Sequence, residues 1–225
     1  MIREITLAFE TAVGGGSISL LEKNIEIDFW IGNAEISRAE DLLSGISELF
    51  VKNNLEKSDL KNIIYSLGPG SYTGIRIGLA TVKGLANALG CNCFGQTILE
   101  ALTLRTETEG KVQTAVESAK NQISRQIFEI KKGEFLKSLS VPETVSNERF
   151  LAETDDSIVT VLLCKNREMF EIADKHRKSK NLLSKKIIRV GTDENIARLI
   201  GIFSERYMQK GNGSWVYRYE GNNKN

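Results

Sequence analysis

The sequence predicts an α/β chain built of two similar lobes. Two observations predict it. Strand, strand, strand, helix, strand, helix, strand, helix can be read in that order from Ile5 to Glu107. A less regular copy of the same order follows from Val112 to Gln209. At 225 residues the chain is long enough for a sizeable core and falls between one and two domains on length alone.

The first copy opens with Ile5–Thr11, which alternates only partly and ends in a polar pair. A glycine turn leads to a strand at Ser17–Leu21, and Ile25–Ile31 alternates cleanly as a third. Their short connections predict an antiparallel meander. In "SRAEDLLSGISELFVKN" the apolar positions Ala39, Leu42, Leu43, Ile46, Leu49 and Phe50 share one helical face, with Ser37 as N-cap. Asn62–Leu67 is a short buried strand. The turn at Gly68 and a long helix follow, then a strand at Cys91–Phe94 and a helix in "TILEALTLRTE".

In the second copy, strands are expected at Val112–Ser118, Arg125–Lys131 and Glu134–Leu139, with a helix over Asn147–Glu153 behind Ser146. Ser157–Cys164 is a strong strand; a weak helix and the strand "KIIRV" come next. In the last helix Ile196, Leu199, Ile200, Phe203 and Tyr207 share a face, and the polar tail is expected to fray. A doubled βββαβαβα order suggests two ribonuclease-H-like lobes. Residues 1–110 form the first, joined by the last helix and tail, 193–225; residues 111–192 form the smaller second.

Thirty basic against 29 acidic side chains give a net charge of +1. That excludes a whole-chain electrostatic footprint for nucleic acid or membrane. No apolar run approaches membrane-spanning length. "MIREITLAFE" reads as a strand rather than a leader, so a cytoplasmic setting is expected. Cys91, Cys93 and Cys164 are an odd set without a secretory signal, which argues against a disulfide framework. Cys91 and Cys93 read as buried thiols, and three Cys with one His are few ligands for a zinc site.

The stretch "GPGSYTGIRIGLATVKGLANALG" poses the sharpest question, because its helix keeps Gly74, Gly78 and Gly84. Each costs about 0.8–1 kcal/mol relative to alanine inside a helix. One reading is a phosphate cradle, since a glycine turn entering a helix presents unpaired N–H groups. The stretch lacks the Gly-Lys-Ser/Thr ending and the G-x-G-x-x-G spacing of the known cradles. A tight strand-to-helix connection capped by Ser71 or Thr73 explains the turn equally well. Arg76 in the first helical turn opposes the dipole, which hints at an anionic partner group. The other reading is close approach. Ile75, Leu79, Val82, Ala86 and Leu89 form the core face, and Gly74, Gly78 and Thr81 form a bare strip against which a helix of the same chain or of another subunit would pack.

"SLGPGSYTGIRIGLATVKGLANALG" closely resembles the hallmark of the TsaB, or YeaZ-like, family; "ILEALT" and "VYRYEG" are similar to two of its further segments. The match is strong over residues 60–105 and weaker over the rest of the first lobe. The resemblance implies an actin-like, Hsp70-like fold of two lobes. It implies a non-catalytic subunit that dimerises with a TsaD-type catalytic paralogue and is joined by a TsaE-type ATPase. The complex makes threonylcarbamoyladenosine on tRNA, and some members also form homodimers. It places the interface on the glycine helix and on "RAEDLLSGISELF", at Leu42, Leu43, Ile46, Gly70, Tyr72, Thr73, Gly74, Arg76, Ile77, Gly78 and Thr81. Three segments depart from the family pattern. Glu10-Thr11-Ala12 stands for Asp-Thr-Ser, Arg38-Ala39-Glu40 for a His-Ser-Glu-like start, and Glu117-Ser118-Ala119 for Asp-Ala-Arg.

No catalytic residue is expected. The catalytic paralogue's His-x-x-x-His metal motif cannot be formed with a single histidine, His176, which reads as a solvated surface residue. No intrinsic cofactor or metal is expected. An alternative keeps a weak ATP or ADP site with Mg²⁺ at a subunit interface. There Glu10, Thr11 and Glu117 would hold the cation, in an ATPase-like or kinase-like enzyme of the same fold. A glycoprotease-like (M22) peptidase is the third reading, and it fails on the same ligand count. The basic stretch Lys175–Arg189 is a candidate for tRNA phosphate contact in an assembled complex.

Overall fold

The computed structural model describes residues 3–33, 38–131, 134–153, 155, 157–165, 167–179, 186–208 and 218–219. In chain order these form β1 (Ile5–Glu10), β2 (Ser17–Glu22), β3 (Ile25–Ile31), α1 (Arg38–Lys52), β4 (Leu60–Ser66), α2 (Tyr72–Leu89), β5 (Asn92–Gln96) and α3 (Ile98–Ala101). Then come β6 (Gly110–Ala119), β7 (Gln122–Lys131), β8 (Glu134–Ser138), β9 (Glu143–Ser146), α4 (Asn147–Ala152), β10 (Val159–Cys164), α5 (Arg167–Ser179) and β11 (Ile187–Gly191). The last helix is α6 (Ile196–Met208), and β12 (Arg218–Tyr219) ends the series. Two compact units result, one of residues 1–101 with 195–225, the other of residues 102–194.

In the first unit the strand order is β12-β5-β4-β1-β2-β3. β1, β2 and β3 are the antiparallel meander; β2 and β3 are joined at Lys23–Asn24, where both residues take left-handed φ angles of 53° and 64°. Such a two-residue turn matches the twist of its strands. β4 and β5 run parallel to β1 and β4 in turn. Ile5, Leu7 and Phe9 of β1, with Ile18 and Leu20 of β2, join the core formed with Leu42, Ile46 and Leu49 of α1 and Val82 and Ala86 of α2. The alternate positions Ala8 and Leu21 lie against α6; a Cβ on Gly201 would stand 2.3 Å from Leu21 Cδ1 and 2.9 Å from Ala8 Cβ. Helices on both faces bury every residue of β1, which explains its weak alternation. Burying a side chain such as Phe9 fully contributes about 1.5–3 kcal/mol.

In the second unit the order is β11-β10-β6-β7-β8, and β9 pairs with β7 as well. Apart from β12 and β9, both sheets repeat one order: meander strands three, two and one, then two parallel strands. The two sheets thus carry the doubled α/β order expected from the sequence. β7's outer edge is shared, Phe128–Lys131 pairing with β8 and Gln122–Arg125 with β9. Its core is Ala115, Ile123, Val145, Phe150, Leu162 and Cys164, covered by Met169 and Ala173 of α5.

Three elements differ from expectation. The helix read in Thr97–Glu107 is split: α3 packs on α6, whereas Leu102–Arg105 is a 3-10 turn packed on β6, β8 and β10. The division between units falls at that split, at 101/102 instead of 110/111; the return falls at 194/195 instead of 192/193. β9 was not legible, being four residues long with only Val145 buried. The weak helix after Cys164 is a full α5, anchored by Met169 and Ala173. Ser37, Gln209 and most of the tail lie outside the described residues.

Candidate subunit-docking face

The glycine turn is built on its own chain. Ser71 N–H donates to the Ala12 carbonyl at 2.7 Å, and a Cβ at Gly70 would stand 2.4 Å from that oxygen. Gly68 N–H donates to Ser66 Oγ at 3.0 Å. Ser71 caps α2, its Oγ accepting from Gly74 N–H at 3.2 Å, as its residue type predicts. Amides that a phosphate would need at Gly68, Ser71 and Gly74 are thereby committed within the turn. Gly70, half-buried, packs against Ala12.

Four positions expected at the interface face the core instead. α2 is rolled so that Gly74, Gly78, Val82 and Ala86 face the sheet. Thr11 Oγ1 donates to the Gly74 carbonyl at 2.8 Å. A Cβ at Gly78 would stand 2.6 Å from that same Oγ1 and 3.6 Å from Phe9 Cε2. Two glycines therefore let α2 sit close over β1, so the Gly74–Gly78 part of the bare strip packs within its own chain, one of the two partners expected for it. Leu42 and Ile46 of α1 are likewise core residues, buried with Ile18 and Leu20. The apolar face of α1 reads as one stripe in sequence, but the sheet takes only its Leu42–Ile46–Leu49 side.

The remaining expected positions lie outward. Leu43 is 53% exposed and Tyr72 73%. Thr73 and Arg76 are exposed, and Ile77 and Thr81 half-buried. The structure adds Ala80, Gly84, Asn87 and Ala88, all exposed. Thr73, Ile77, Ala80, Gly84 and Ala88 recur at helical spacing and form one outward strip, short in side chain except at Ile77, opposite Gly78 and Val82. A Cβ on Gly84 would meet nothing within 4 Å. Of the three glycines that posed the question, one faces solvent. The period of 73, 77, 80, 84 and 88 was visible in sequence, but Gly74 and Gly78 masked it. On α1, Leu43 and Val51 are the exposed apolar residues.

Glu10 and Thr11 are buried. Glu10 Oε1 accepts from Val13 N–H at 3.0 Å and from Ala12 N–H, which closes the chain after β1. Glu117 Oε2, in the second unit, accepts from Lys165 N–H at 3.0 Å. Each carboxylate thus organises local backbone. His176 is half-buried on α5 and not a solvated side chain, and its Nε2 is enclosed. The three cysteines are free and buried; burial pushes the Cys91 thiol up to about 11. Burial also raises the Cys164 thiol, against a hydrogen bond with Arg189.

Along Lys175–Arg189, Arg177 and Lys178 both pair with Asp174, at 2.9 and 2.6 Å, and Arg189 is half-buried beside Cys164. Residues 180–185 lie outside the described set. Among the described residues no three His, Cys, Asp or Glu come together as a metal site. No described helix is long and apolar enough to cross a membrane. A cavity of about 470 Å³ lies at the starts of β1 and β4, lined by Glu4, Thr6, Lys23, Asn24, Lys61, Asn62 and Glu205. It is far along the strands from the glycine turn and holds none of the expected site residues.

Comparison with known proteins identifies a family. The family model for TsaD, tRNA N6-adenosine threonylcarbamoyltransferase, matches residues 33–200. The chain is 37% identical over 83 residues to the tRNA threonylcarbamoyladenosine biosynthesis protein TsaB of Buchnera aphidicola subsp. Baizongia pistaciae, covering 37% of each chain. It is 26% identical over 128 residues to TsaB of Bacillus subtilis, covering 56% of each. These matches span from about a third to just over half of the relatives' length. In structure it is similar to YeaZ from Pseudomonas aeruginosa, with a TM-score of 0.66 at 18% identity over 92% of this chain and 93% of that one. The fold, the glycine-turn segment and the family match agree, and the chain belongs to the TsaD family of tRNA N6-adenosine threonylcarbamoyltransferase proteins, among its TsaB/YeaZ members.

Proposed function

We propose that this chain is a non-catalytic subunit in the biosynthesis of threonylcarbamoyladenosine on tRNA. It pairs with a TsaD-type catalytic paralogue through the outward faces of α1 and α2. A TsaE-type ATPase joins the pair, and tRNA is engaged by the assembled complex. The names of the TsaB relatives support the pathway. One observation carries the docking role: Gly84 is an exposed helix-interior glycine whose missing side chain faces open space. The fold gains nothing from it and loses about 0.8–1 kcal/mol of helix propensity. A second backbone approaching along Thr73, Ile77, Ala80, Gly84 and Ala88 gains from it, because short side chains admit close helix packing.

The non-catalytic reading rests on the chain's single histidine and on the commitment of the Glu10 carboxylate to backbone amides. Leu43, Tyr72, Thr73, Arg76, Ile77 and Thr81 stay within the proposed face; homodimer formation through the same surface competes with the paralogue. Co-expression with the paralogue followed by size-exclusion chromatography tests the pairing: co-elution supports it, and separate elution at micromolar concentration sinks it. Calorimetry with ATP and Mg²⁺ tests the role, since micromolar affinity for this chain alone would favour an ATPase-like subunit.

A further inference from the structure

Resting on the pairing proposed above, we infer that the Tyr72–Arg76 pair receives a carboxylate of the partner subunit. Arg76 Cζ lies 5.4 Å from the centre of the Tyr72 ring, and both side chains are exposed. The two residues are one turn apart and flank the strip that contains Gly84. Arg76 has no ion-pair partner among the described residues. α2 has eighteen residues with two cations, Arg76 and Lys83, and no Asp or Glu. Arg76 is the fifth residue of α2, one turn beyond Tyr72 on the solvent side of the helix. The fold therefore keeps an exposed guanidinium with no carboxylate to neutralise it among the described residues. The guanidinium lies within cation–π distance of the Tyr72 ring, a contact that favours the conformations in which the two side chains are offered together. Tyr and Arg are also the residue types that concentrate energy at protein interfaces.

The chemistry favours a protein carboxylate over a nucleic-acid phosphate. A phosphate backbone is met by rows of cations. Here Arg76 and Lys83 are bordered by short or apolar side chains on α2, and α1, packed beside α2, presents Asp41 and exposed Glu48. Those acids repel a polyanion, whereas a helix of mixed charge with one carboxylate opposite Arg76 is complementary to this surface.

The test titrates the TsaD-type paralogue with the wild-type chain, Arg76→Glu, Arg76→Met, Arg76→Lys and Tyr72→Ala, at low and high salt. Arg76→Glu is expected to weaken pairing about tenfold or more, Arg76→Met less, and Arg76→Lys least. Salt should weaken the wild type more than Arg76→Met. Replacing the facing Asp or Glu of the paralogue by Lys should restore pairing to Arg76→Glu. Arg76 is exposed, so unchanged thermal melts are expected, and Arg76→Met keeps the comparison open if charge reversal alone disturbs folding. A wild type that never pairs overturns the subunit reading itself. Pairing unchanged in both Arg76→Glu and Arg76→Met overturns this inference and leaves that reading standing. Unchanged pairing with lost tRNA affinity in the complex assigns Arg76 to phosphate and also overturns it.

Discussion

Thr11 Oγ1 donates a 2.8 Å hydrogen bond to the Gly74 carbonyl, and it occupies the space where a side chain on Gly78 would stand. One hydroxyl at the end of β1 thus requires bareness one turn further along α2. Gly78→Ala should destabilise the first unit by about 1–3 kcal/mol through overpacking. Thr11→Ala removes the obstructing atom at a cost of about 1 kcal/mol. With it gone, the nearest neighbour to a Cβ at position 78 is Phe9 Cε2 at 3.6 Å, an ordinary contact. The double variant should lose less stability than the sum of the singles. Urea unfolding of all four proteins measures the coupling, and strict additivity would contradict the geometry.

Glu10 lies at the end of the same strand, with its carboxylate on the amides of Ala12 and Val13. Those bonds fix the Ala12 carbonyl that receives Ser71 N–H. Glu10→Ala leaves two amides without their acceptor and should cost about 1.5–3 kcal/mol, more than the usual surface substitution. Differential scanning calorimetry checks this; an unchanged melting temperature would show that the carboxylate is not holding the turn.

The thiols of Cys91, Cys93 and Cys164 are buried, and burial raises the Cys91 thiol to about 11. Thiolate is the reactive form, and it is scarce at neutral pH for such a group. The native chain should therefore consume no thiol reagent on the minute scale at pH 8, and three equivalents after denaturation. Rapid reaction of the native protein would place a thiol at the surface.

Asp28 on β3 is held below its ordinary value, first by the hydrogen bond from Lys52 and then by that from Asn53 and the backbone N–H of Phe29. A carboxyl with a depressed folded value contributes stability that is complete above about pH 4, its unfolded range. That contribution falls away as pH drops through the depressed value. Asp28→Asn should therefore narrow the stability difference from wild type below pH 4 and widen it at pH 7. Parallel pH–melting curves for the two proteins would remove the Asp28–Lys52 pair as a stabilising contact.

Much of the fold was legible because each lobe repeats strongly patterned elements. Ile25–Ile31 alternates, and Ser17–Leu21 and Ser157–Cys164 are rich in apolar and β-branched residues. α3 was overextended because Ile98 to Arg105 keeps one helical pattern while its two halves pack in different units. The site was legible in composition but not in direction. Gly74, Gly78 and Gly84 share one helix, and periodicity alone does not say which of two small-residue strips faces the sheet. Thr11 decides it, and nothing in the sequence links position 11 to position 78. Leu42 and Leu43 show the same limit on α1: adjacent leucines, one core and one outward.

Gly84 offers the most direct measurement. Gly84→Trp places a large side chain into open space on α2 and removes a helix-interior glycine, so the isolated chain should melt no lower than the wild type. Size-exclusion chromatography with light scattering, on each protein mixed with the TsaD-type paralogue, should show a heterodimer for wild type and two separate species for Gly84→Trp. A Gly84→Trp chain that pairs as tightly as wild type would contradict the assignment of this face.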